Sequence, residues 1–265
     1  DIDEETLATD ERNNIVAHKY KDVLATEDDL AKLHNPVITY NKEETFRRYN
    51  LVGDILGDIL PVKLMGVDYF AFTPWDEIAR YRGVTNLLMD LIERPEFMHK
   101  AVRKLTDISL SYLQQLEDLD LLDINGYSLH CTPMYTDDLP GDDFDGTGIT
   151  RKNIWGRGAA QIFGSVSKKM HDEFYIPYMI ETIGQCGLSY YGCCEPLDKK
   201  MDIVEKIPNL RKVSVTPWAD VNVAAEAING RYVLSSKPNP ASVAVPKLDT
   251  ENLRKEIGTI LDACK

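Results

Sequence analysis

The sequence predicts an α/β protein built on a parallel sheet with crossover helices. Three observations carry that expectation. From Leu188 onward, strand-length and helix-length runs alternate about every twenty residues, with no hairpin signal joining two strand runs. The chain has 265 residues, a normal length for one barrel of alternating strands and helices, and nothing marks a second domain within 1–265. The residues best suited to chemistry fall just after strands, where such a barrel keeps its site.

The elements follow in order. Residues 1–14 are acidic and polar and read as a surface lead-in. Ile15 to Val23 alternates Val16, His18 and Tyr20, a half-exposed strand that puts His18 at the surface. Thr26 before Glu27-Asp28-Asp29 caps a short helix running to His34. Asn41 with Glu44 three residues on starts another, through Gly57. Pro61 to Met65 reads as a compact strand. Thr73-Pro74-Trp75-Asp76 opens a helix that Gly83 closes.

Pro95 opens the longest helix, to Leu119. Phe97, Ala101, Leu105, Ile108, Tyr112 and Leu116 recur at three- and four-residue steps, so one face is buried, and His99 is placed in solvent. Leu121 to Tyr127 is the next strand. Residues 131–153 then form a turn-rich segment, long enough to be an entrance loop or lid, whose five aspartates lack calcium-loop spacing. A helix from Ser167 to Gly184, bent at Pro177, precedes strand 188–193. A helix near 197–206, strand 211–216, helix 221–228, strand 231–235 and a closing helix 248–263 complete the chain.

Composition excludes several classes. A net charge of −13 argues against nucleic acid and against anionic membrane surfaces, both of which require a basic face. No apolar run has the length of a membrane span. The five cysteines (131, 186, 193, 194 and 264) are sparse and odd in number, which suits a reducing cytoplasm rather than a disulfide framework.

The stretch Leu188-Ser189-Tyr190-Tyr191-Gly192-Cys193-Cys194-Glu195-Pro196 is a buried strand ending in two thiols and a carboxylate. Two readings stand for it. Cys193, Cys194 and Glu195 form a soft-metal or nucleophile site, or the cysteines are small packed residues. His130-Cys131, Thr216-Pro217-Trp218 and Lys237-Pro238-Asn239-Pro240 occupy equivalent strand-end positions, and in a closed barrel all of these face one mouth.

Gln161-Ile162-Phe163-Gly164-Ser165-Val166-Ser167, followed by Phe174-Tyr175-Ile176-Pro177-Tyr178, resembles the uroporphyrinogen decarboxylase superfamily. Pro95-Glu96 is similar too, and Lys237-Pro238-Asn239-Pro240 stands where that family has a Gly-Asn-x-x-Pro turn. The likeness spans residues 45–263. It implies a TIM-type (β/α)8 barrel, with one strand before Asp1 and one after Lys265 lying outside this chain. Uncovered strand edges would then need a partner, such as a second copy in a homodimer.

The N-terminal arginines that decarboxylases use on porphyrinogen carboxylates are not found. The resemblance therefore points to the cobalamin-dependent methyltransferases, which move a methyl group between a corrinoid protein and a small donor or acceptor. Their thiol-methylating members hold zinc with a His-x-Cys pair and a later Cys. Tyr191 stands where that His would be, so Cys194, Glu195 or His130 would have to complete the set. The resemblance also implies binding roles for Tyr127, Tyr191 and Trp218 as an aromatic wall, and for Lys237 and Asn239. A decarboxylase or other lyase, and a non-catalytic binding barrel, are the alternatives.

Overall fold

The computed structural model describes residues 4–10 and 15–265, with side chains from residue 20 onward. The elements are β1 (Glu4–Asp10), β2 (Ile15–Tyr20), α1 (Glu27–Ala31), α2 (Lys42–Leu56), β3 (Tyr69–Phe72), α3 (Pro74–Arg82), α4 (Val84–Glu93) and α5 (Pro95–Asp118). Next come β4 (Ser128–Leu129), β5 (Thr132–Pro133), β6 (Trp155–Gly158), α6 (Lys168–Phe174), α7 (Ile176–Glu181) and β7 (Leu188–Tyr191). The chain finishes with α8 (Met201–Val204), β8 (Leu210–Val215), α9 (Val221–Ile228), β9 (Val233–Ser236) and α10 (Thr250–Ala263).

Five strands form one sheet in the order β3-β6-β7-β8-β9, and every pair is parallel. Each connection between neighbours carries helix, as a parallel crossover requires. The expected α/β class with a parallel sheet is therefore present. Local signals account for many boundaries. Thr26 caps α1 in a full capping box, Asn41 accepts the Glu44 N–H at the start of α2, and Pro74 occupies the first turn of α3. On α5, Phe97, Ala101, Leu105 and Leu116 are buried as the periodicity requires.

The sheet has two differently covered faces. One packs on the helices: Phe70, Phe72, Tyr191, Val213 and Val215 join Trp75, Phe163, Phe174 and Tyr175 in the main core. The other carries Trp155, Leu188 and Tyr190, which pack against Leu129 and Met134 of the β4–β5 hairpin. That hairpin is tied down by three hydrogen bonds. Trp155 Nε1 donates to Met134 O at 3.1 Å, Lys212 Nζ to Pro133 O at 2.5 Å, and Ser235 Oγ to Thr132 Oγ1 at 2.8 Å.

Several expectations need correction. Residues 4–10, expected within a polar lead-in, form β1 and pair with β2; the side chain of His18 lies outside the described residues. Pro61 to Met65 is not a strand. Pro61 lacks an N–H, Leu64 and Met65 are exposed, and pairing begins only with a bridge at Val67 and then β3 at Tyr69. Leu121 to Tyr127 makes a single bridge, Leu122 to Val67. The Asp123 carboxylate then accepts the Gly66 and Asn125 N–H groups, turning the chain toward the hairpin so that β3 pairs directly with β6.

The 167–184 helix is two helices broken at Tyr175, next to the N–H-less Pro177. His99 is half-buried, because α6 and α7 cover that side of α5. It stacks on Phe174 at 4.4 Å and bonds Tyr178 Oη at 2.9 Å. The 131–153 segment is anchored at its start by β5 and runs through turns beyond it. Among the described residues, no helix is long and apolar enough to cross a membrane.

Candidate metal centre

Register places the site. β6, β7, β8 and β9 run parallel, so their carboxyl ends lie along one edge of the sheet. Beyond β7, Gly192 takes φ +103°, a backbone that side chains rarely adopt, and leads the chain into Cys193. Across from it, β4 and β5 are joined by the two-residue turn His130-Cys131, with Cys131 at φ +64°. The hairpin bonds to Trp155, Lys212 and Ser235 carry this turn to the sheet edge.

There His130, Cys131 and Cys193 come together: one ligand atom from each lies within 4.8 Å of the other two. Cys193 is buried, while His130 and Cys131 are exposed. Cys194 is exposed and outside this mutual group, with its Sγ 3.7 Å from Cys193 Sγ. One imidazole and two sulfurs suit a soft or borderline divalent ion such as zinc. Burial and the adjacent Cys194 push the Cys193 thiol up to about 12, so without a cation it holds its proton. Partial desolvation, then Arg157 and Lys237, hold the His130 imidazole below its usual range, which favours the neutral ring a metal requires.

The other expected site residues divide clearly. Glu195 is not directed at the thiols. It is buried, with Oε1 accepting the Ala160 N–H at 2.9 Å and Oε2 the Cys193 N–H at 3.0 Å, so both oxygens are used on backbone. Tyr191 is not part of an aromatic wall. Neighbouring strand residues point to opposite faces, and Tyr191 faces the helices, with its hydroxyl 2.5 Å from His171 Nε2. Tyr127 and Trp218 are exposed, Trp218 at 67%. Lys237 Nζ donates to Tyr190 Oη and Ser214 Oγ, each at 2.8 Å. Asn239 caps the turn at Pro240–Ser242 and lines, with Lys237, Thr216 and Lys255, a cavity of about 460 Å³ between the β8–β9 ends and α10.

Sequence reasoning noted His130-Cys131 after a strand but did not assign Cys131 to the metal. It missed Tyr190, Lys212 and Arg157 on the hairpin face altogether. Strand parity relative to Tyr191 would have exposed Tyr190. A charged residue inside the buried run Trp155-Gly156-Arg157-Gly158 was a signal for Arg157.

Comparison with protein-family models and with curated proteins finds no match to this chain.

Proposed function

We propose that this protein is a zinc-assisted methyltransferase, moving a methyl group between a small substrate or thiol and a corrinoid protein. In this reading the five parallel strands are an arc of a barrel whose mouth is the carboxyl edge. The observation that carries it is the grouping of His130, Cys131 and Cys193 at that edge. Three protein donors are the count used by catalytic zinc, which keeps a fourth position for water or substrate.

Zinc at this position supplies Lewis acidity, lowering the pKa of a substrate thiol. The chain's own groups do the rest. Glu195 fixes the Cys193 backbone, and the hairpin bonds fix His130 and Cys131. Cys193 sits on the buried side of the group while His130 and Cys131 are open to solvent, so a second molecule approaches from the exposed side. Trp218 and Tyr127, both exposed, offer aromatic surface to a corrinoid carrier.

Elemental analysis of the purified protein tests this. About one zinc per chain is expected, lost in Cys193→Ser, with chelator-sensitive methyl transfer between methylcobalamin and a thiol. Metal-free wild-type protein after zinc reconstitution, or activity indifferent to chelators as a lyase would show, would reject the reading.

A further inference from the structure

Arg157 lies in β6 with Ala71 of β3 and Tyr190 of β7 as its register partners. It is only 7% exposed, and its Nε has no hydrogen-bond partner. No carboxylate forms an ion pair with its guanidinium among the described residues. A guanidinium cannot shed its proton to escape burial, so an unpaired one is costly unless an anion joins it.

The neighbouring cation is similarly placed. Lys237 donates to the neutral oxygens of Tyr190 and Ser214 and lies over the Tyr190 ring at 5.5 Å, so no acid answers its charge. Tyr190 stands between the two: beside Arg157 in register and bonded to Lys237 through its hydroxyl. Ser214, which accepts from Lys237, donates through the same hydroxyl to Cys193 O at 2.9 Å, so this face adjoins the donor group. A third cation, Lys212, is taken up by Pro133 O and the Trp155 ring. Asp76 acts on Arg157 and His130 by its charge without forming an ion pair, its carboxylate accepting from Gln161 instead, so in a chain of net charge −13 this face holds cations with no paired acid.

We infer that Arg157 and Lys237 bind the oxyanion end of a small substrate whose other end reaches the His130–Cys131–Cys193 group. Only the assignment of that other end rests on the metal reading. One guanidinium and one ammonium match a single carboxylate, sulfonate or phosphate rather than a molecule bearing many acids.

The test titrates zinc-loaded protein separately with acetate, methanesulfonate and inorganic phosphate, against chloride at equal ionic strength. At least one should raise the thermal midpoint saturably, and the strongest identifies the oxyanion. Arg157→Met should weaken that response about tenfold or more, and Lys237→Met should weaken it too, with zinc content unchanged in both. No saturable response in the wild type, or an equal response in the Lys237→Met protein, would overturn the inference. Should Arg157→Met fail to fold, Lys237→Met decides alone. An anion response retained in zinc-free Cys193→Ser would support the subsite while the metal reading is judged by its own assay.

Discussion

The Glu195 carboxylate accepts the Cys193 backbone N–H at 3.0 Å through one oxygen and the Ala160 N–H at 2.9 Å through the other. One acid thereby joins the chain leaving β7 to the chain leaving β6. Burial raises the Glu195 carboxyl above its usual range, while the backbone donors pull it down. Its place beside two cysteines suggests a ligand, yet its oxygens hold backbone in place.

Replacement of Glu195 by Gln tests this tether. The amide keeps the shape but turns an NH2 group toward one of two buried donors. Unfolding free energy by urea denaturation should fall by about 1–3 kcal/mol, and zinc affinity should fall with it as Cys193 loses its anchor. Unchanged stability would remove Glu195 from this role.

Trp155→Phe probes the hairpin in the same way. Phe stays aromatic but is smaller, so part of the indole space is left empty, and Met134 O loses its 3.1 Å donor beneath the His130-Cys131 turn. The cost should be about 1–2 kcal/mol, with weaker zinc binding in competition against a chromophoric chelator. Zinc affinity equal to wild type would mean that the remaining contacts suffice to place the turn.

His171 supplies a pH dependence. Burial, then the Lys200 charge, pushes its imidazole down from 6.5 to about 3, beside Tyr191 Oη. Between those values the unfolded chain binds a proton that the native protein does not. Stability therefore rises with pH across this window, by at most about 1.4 kcal/mol per unit from this group, and is lost as pH falls. Above pH 6.5 both states are neutral and the group contributes no slope. Denaturation midpoints measured from pH 4 to 7 should show a shallower acid decline for His171→Gln than for wild type. Parallel curves would count against it.

The sequence alone determined what depends on neighbours a few residues apart. Thr26, Asn41 and Pro74 set helix starts, the Phe97–Leu116 stripe set the buried face of α5, and strand–helix alternation set the parallel sheet. It also placed Cys193 at a strand end. Only the tertiary structure decided which face each strand residue meets, because parity separates Tyr190 from Tyr191 without saying which side the helices take. It also decided that Asp123 diverts the chain, so that His130 and Cys131 reach Cys193 and leave Glu195 to the backbone. Those meetings join residues far apart in sequence, and they form only where packing and buried hydrogen bonds bring separate segments together.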